Sequence, residues 1–236
     1  MPKALGIGLA LLLGLSALFV GCGGEEGGTP AGKEGGAKAK AAAPTPERTV
    51  VPIGEGGTAV AAKTPMEAWL NLNEASHTGD KALALSSFLA PEEFKEAVAL
   101  GTMSIAAMFI LRQELAAAYG EEALEGLFKG VKTEPFDRKD LEARTKIEEE
   151  GDKATAHLAG GHVVGLVKKG GAWFVDRTKE EFPPPDELKE MMRFDTARVF
   201  SVNYIRPKIG TKGYPKVEDI LKLMVTAHDA RMGEAK

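Results

Sequence analysis

The chain has 236 residues, with 30 Lys and Arg against 34 Asp and Glu, a formal net charge of -4. At 44% hydrophobic it is too apolar for wholesale disorder, and its near-balanced charge argues against a dedicated nucleic-acid binder, which shows a strongly basic face. A single cysteine excludes a disulfide framework and any multi-cysteine zinc or iron–sulfur site.

Residues 1–21 hold one charged side chain, Lys3, and Ala4 to Val20 is a run of 17 uncharged residues rich in Leu, Ala and Gly. A short positive start and an apolar middle are the pattern of a secretory signal. The run is short for a membrane span, which needs about 20 apolar residues. Cys22 follows directly after Phe19, Val20 and Gly21. This order resembles the bacterial lipoprotein lipobox, with Phe19 where that family usually has Leu. The resemblance implies cleavage before Cys22, acylation of Cys22, and a membrane anchor through lipid. The competing reading is an uncleaved membrane anchor with an incidental cysteine. Gly23 stands where some lipoproteins carry an inner-membrane retention Asp, which favours the outer membrane if the host has one.

Residues 22–62 read as the lipidated cysteine and a flexible tether. Of residues 23–62, 23 are Gly, Ala or Pro, and the large aliphatics are Val50, Val51, Ile53 and Val60. Such a segment buries too little apolar surface to offset its ordering entropy. An alternative adds Val50 to Ile53 to the domain as an edge strand. The remainder, 63–236, reads as a single α+β domain large enough to bury a core without disulfides.

Thr64-Pro65-Met66-Glu67 is a capping box with Pro at the first helical position. Trp69, Leu72 and Ala75 follow at near-helical spacing, and Gly79 is a natural stop. Asp80 caps a second short helix carrying Leu83, Ala84 and Phe88. Pro91-Glu92-Glu93 opens a third helix running to Tyr119, almost wholly apolar from Met103 to Leu111, with Gly101 as a point of kinking or division. Glu121 to Lys129 reads as a further short helix.

After Pro135 the period changes. Short runs are separated by Glu150-Gly151-Asp152, Gly160-Gly161 and Gly170-Gly171, and glycine pairs at two-residue spacing are hairpin signals. With Gly160-Gly161 as a two-residue turn, Ala159 pairs with His162 and His157 with Val164. Ala154, Ala156, Leu158, Val163, Gly165, Val167 and Phe174 then form one apolar face toward the helices. The other face needs a cover that the C-terminal region would supply. Asp186 caps a helix toward Phe200, and Pro215 with Glu218-Asp219 opens a final one.

Helices followed by a meander make an α+β layout: N-terminal helices packed on a curved antiparallel sheet, with extra C-terminal helices. Thr64 to Leu89, with its Gly79-Asp80 turn, and Ile147 to Val175, with Gly151-Asp152 and Gly170-Gly171-Ala172-Trp173-Phe174, resemble the nuclear-transport-factor-like (SnoaL-like) cone fold. That resemblance implies a cone whose interior either binds a small apolar ligand or carries isomerase- or hydratase-type chemistry.

Candidate chemistry is sparse. His157 and His162 fall diagonally on one sheet face in this register; two ligands do not make a metal site, whether or not Glu148 or Glu150 on the preceding strand reaches them, and both are read as solvated side chains. Tyr119, Asp137, Asp140 and Asp176 lie near element ends and are read as surface groups. Met108, Met191, Met192 and Met224 are read as core. Arg206, Lys208, Lys212 and Lys216 form a basic loop without an acid, read as a weak anion or headgroup contact or as a solvated loop. No motif implies a cofactor or a metal. The sequence therefore points to an extracytoplasmic, lipid-anchored protein with a non-catalytic domain for a partner or small apolar ligand. The alternatives are an assembly component of an envelope complex and an enzyme using the cone interior.

Overall fold

The computed structural model describes residues 49–124, 127–128, 135–158 and 161–234. Their order is α1 (Pro65–Thr78), α2 (Lys81–Ser87), β1 (Phe88–Leu89), α3 (Lys95–Tyr119), α4 (Arg138–Arg144), β2 (Lys146–Glu150), β3 (Lys153–His157), β4 (Val163–Lys169), β5 (Ala172–Asp176), α5 (Pro185–Ile205) and α6 (Val217–Glu234). The class is α+β. The sheet has five strands in the order β1-β5-β4-β3-β2. It is mixed, not antiparallel throughout, because β1 runs parallel to β5.

Local chemistry sets the helix starts. Thr64 and Glu67 close the expected capping box on α1, and Gly79 ends the helix at φ 75. The Asp80 side chain accepts from the Leu83 N–H and starts α2. Phe88 is not part of that helix. The chain extends after Ser87, pairs Phe88 with Val175, and buries the Phe88 ring. Glu92–Phe94 is a single 3-10 turn, and α3 then runs unbroken through Gly101. On α5, Pro185 takes the first turn and Asp186 lies within it, so Asp186 is not the cap. Of the helix expected at Glu121 to Lys129, the described residues hold one 3-10 turn, Glu122–Leu124.

The β3–β4 register differs from expectation by one residue. His157 pairs with Val163, Ala156 with Val164 and Ala154 with Leu166. The Leu158 N–H donates to the His162 carbonyl at 2.8 Å, and Gly161 takes φ 80. A one-residue slip exchanges the faces of a strand. The inward face thus carries Ala154, Ala156, Leu166, Trp173 and Val175, all buried, while Val163 is 62% exposed. The physical reason lies in the side chains. The observed register buries Leu166 and Trp173 where the expected one would have buried Gly165 and Phe174. The β4–β5 hairpin is as expected, with Val167 opposite Phe174 and Gly170-Gly171 at φ 60 and 84.

Two cores result. One lies between the sheet's inner face and the start of α3, around Ala68, Leu72, Phe88, Val98, Leu166 and Trp173. The other lies among α3, α5 and α6, around Met103, Leu111, Leu115, Val202, Ile220 and Met224. Met108 and Met224 are buried core residues, while Met191 and Met192 are half-buried. Both clusters draw on α3. By length and composition Glu92–Tyr119 is apolar enough to cross a membrane, yet half of its apolar window is buried inside the domain. The expected cover for the second sheet face does not come from the C-terminal helices, whose packing is with each other and with α3.

Residues 51–62, which composition assigns to the tether, lie against the domain. Asn203 brackets Ile53, accepting from its N–H at 2.8 Å and donating to its carbonyl at 3.1 Å. Arg206 donates to the Val51 carbonyl at 2.7 Å. The Gly54 N–H donates to the Gly79 carbonyl, and Trp173 to the Ala62 carbonyl, both at 2.9 Å. Ile53 is buried, and a Cβ on Gly79 would sit 2.7 Å from its Cγ2.

The register has a direct consequence. Leu166→Ala is expected to lower unfolding stability by about 3 kcal/mol, and Val163→Ala to change it by no more than about 0.5 kcal/mol. Urea denaturation of both variants checks this, and the reverse order would restore the slipped register.

Candidate functional site

The polar groups worth weighing lie in the helical half. There α5 delivers Asp195, Arg198 and Asn203, and Arg206 directly after its end, at spacings of three to five residues, so that they line the side facing α3 and the incoming chain. Arg198 is 3% exposed, and its Nη1 donates to Ser104 Oγ on α3 at 2.9 Å. Ser104 in turn donates to Asp195, whose carboxylate lies 3.9 Å from the same guanidinium. The guanidinium also rests on the Phe194 ring at 4.8 Å, and the buried His228 meets that ring edge-on at 5.1 Å. Burial raises the Asp195 carboxyl above its ordinary range, while the Ser104 bond and the Arg198 charge pull it down. Burial likewise lowers the Arg198 guanidinium.

Arg206 forms the second link. Its Nε and Nη2 fork onto the Glu114 carboxylate of α3, with Nη2 to Oε1 at 3.0 Å, while Nη1 holds Val51. Arg206 is buried and committed to this fork. The basic loop is therefore not a set of four cations open to an anion. Lys208 folds back, donating to the Tyr204 carbonyl at 3.1 Å and lying 4.2 Å from the centre of its ring. Lys212 and Lys216 are exposed. Tyr119 organises the loop from below, accepting from the Gly210 N–H at 3.0 Å and donating to the Tyr214 carbonyl at 2.8 Å. Burial pushes this hydroxyl up, and the Gly210 bond works against the rise.

The other candidates have structural partners. Asp137 caps α4 through the N–H groups of Lys139 and Asp140. Asp140 pairs with Arg144 one turn on. Asp176 closes a turn onto Thr178. His157 lies 3.1 Å from Glu148 on the neighbouring strand. Lys146 first, and then His157, hold the Glu148 carboxyl below its usual range. The register places His162 opposite Leu158 and so off the face His157 shares with Val163; the two histidines do not converge. Among the described residues no three His, Cys, Asp or Glu side chains gather to hold a metal. Cys22 lies outside the described residues.

Two clusters escaped sequence reasoning. One is the Asp195–Ser104–Arg198 group, whose only signal was an acid and a base three residues apart on an amphipathic helix. The other joins α1, α3 and α4. His77 stacks on Phe109 at 4.5 Å and approaches Phe136 at 5.3 Å, while Arg138 reaches Glu74 at 2.6 Å and Asn71 at 3.0 Å. Comparison with protein-family models, curated proteins and solved structures found no match.

Asp195 carries a pH signature. Its raised folded value means the native state binds this proton more tightly than the unfolded chain, so stability falls as pH rises through the interval between the two values. Removing Arg198 moves the folded value further up and widens that interval. Arg198→Met is expected to lower stability by about 3 kcal/mol at neutral pH and by less in mild acid, read by urea denaturation at both. Equal losses would contradict the pairing. Tyr119→Phe is expected to lower stability by about 1–2 kcal/mol, since it leaves the Gly210 N–H and Tyr214 carbonyl without their partner. An unchanged thermal midpoint would contradict that clamp.

Proposed function

We propose that the chain is an extracytoplasmic lipoprotein, anchored through Cys22, whose α+β domain is a non-catalytic module for a partner in the cell envelope. The observation that carries this reading is the place of the sole cysteine, directly after the uncharged run from Ala4 to Val20 and before a stretch rich in Gly, Ala and Pro. Two or more acyl chains give stable anchoring where one would not, at about 0.8 kcal/mol per buried methylene. Acylation would also account for an odd cysteine in an exported protein.

The domain's order, helices and then a meander, agrees with a nuclear-transport-factor-like plan. In that plan a ligand or substrate would occupy the space between sheet and helices. Here Trp173, Phe88, Leu72 and Leu166 pack together in that space, which favours recognition on the outer surface over an open cone. Two cations buried among the helices are committed to structural contacts with α3, Arg206 to Glu114 and Arg198 to Ser104, which favours binding over turnover. The assembly-component reading shares this logic and differs only in the permanence of the partner.

Intact-mass analysis of the membrane fraction tests the anchor. The expected N-terminal peptide starts at Cys22 and carries added diacylglycerol, and Cys22→Ser is expected to accumulate as a larger, unlipidated precursor. A variant with unchanged mobility and unchanged partitioning into detergent would contradict the reading.

A further inference from the structure

The surface of α5 carries a feature that neither core requires. Phe200 and Tyr204, one helical turn apart, are 45% and 44% exposed, and their rings stack at 6.3 Å with 12° between planes. A cation flanks each ring. Arg231 of α6 lies 5.5 Å from the centre of Phe200, and Lys208 lies 4.2 Å from the centre of Tyr204. The stripe thus reads Arg231, Phe200, Tyr204, Lys208, and the exposed Lys212 and Lys216 follow in the next loop.

We propose that this aromatic–cationic stripe is a membrane-contact surface, which lays the domain face down on an anionic lipid bilayer. Amphipathic rings beside long cationic side chains suit the headgroup boundary: the rings enter the interface while the charges meet lipid phosphates. Each basic side chain near an anionic surface strengthens the contact severalfold. The proposal rests on the lipoprotein reading, which also supplies the reason for choosing lipid over protein. The chain coming from Cys22 reaches the domain at Val51, and Val51 is held by Arg206, two residues from both Tyr204 and Lys208. Val51 itself is 72% exposed. Val51 follows Cys22 by 29 positions in the chain. The anchor therefore keeps this stripe close to the bilayer at high effective concentration, where a contact too weak to recruit a free protein suffices.

The test uses the full-length lipidated protein with Phe200→Trp, reconstituted into phosphatidylcholine vesicles with and without phosphatidylglycerol and doped with brominated lipid. Wild-type protein gives the background from Trp69 and Trp173. Flotation of the vesicles is read in the same samples. The expected result is quenching of the new tryptophan that is stronger in the anionic vesicles. Adding Lys208→Gln and Arg231→Gln is expected to weaken the contact equilibrium about 30-fold, while Lys153→Gln with Lys169→Gln, the same charge change on the sheet, leaves it in place. Protein that floats with the vesicles but shows no quenching beyond wild type overturns the stripe and leaves the anchor standing. Blue-shifted emission without quenching, together with a dimer mass, assigns the stripe to a second copy of the chain and also overturns it. Protein that does not float loses the anchor, and the proposal with it.

Discussion

A guanidinium taken out of water must find acceptors, and the way Arg206 finds them sets the geometry of the helical half. Its fork on Glu114 joins the end of α5 to the C-terminal part of α3, and its remaining arm holds the Val51 carbonyl. The desolvation of such a pair offsets much of its Coulombic attraction, so its value lies in fixing geometry more than in adding stability. Removing either partner would strand a charge. With Asn203 bracketing Ile53 a few residues earlier on α5, the incoming chain has one path into the domain. That path runs beside the Gly79-Asp80 turn, where the absence of a Cβ lets Ile53 pack.

The second constraint is α3. A helix with one apolar stripe serves one core, whereas α3 is apolar around most of its circumference because it serves two. Val98 and Ala99 pack toward the sheet, and Met103, Leu111 and Leu115 join the cluster shared with α5 and α6. Polar groups interrupt it where a partner waits. Ser104 joins the Asp195–Arg198 pair, Glu114 receives Arg206, and Tyr119 holds the loop that leads to α6. The two halves are bound through this helix, and the strap from Val51 to Ala62 runs from one half to the other. It touches α5 at its start and β5 at its end.

Much of this plan is local chemistry and can be read from the chain. The Thr64 capping box, the Asp80 cap, the Gly170-Gly171 turn and the order of helices before strands all depend on residues a few positions apart. The β3–β4 register could not be read this way. Val163-Val164-Gly165-Leu166-Val167 is apolar on both faces, so alternation does not choose between them, and the choice fell to how Leu166 and Trp173 pack. The strap was hidden for a different reason. Its own side chains give it little cause to fold, and what orders it is Asn203, 150 residues away. The same distance effect misplaced Arg206. Among four cations with no nearby acid it reads as an anion contact, because its carboxylate partner lies 92 residues upstream. The Asp195–Arg198 pair was visible as a charge spacing, but only packing against Ser104 makes it a buried one.

An ordered strap moves the start of the domain from the capping box of α1 back to Val51, whose carbonyl Arg206 holds, and Ile53, which Asn203 brackets. Native-state hydrogen exchange at the Ile53 amide tests this point most directly. The clamp predicts protection comparable to that of the amides in the middle of α3. Exchange at the rate of an unstructured chain would contradict it, and the domain would then begin only at the capping box of α1.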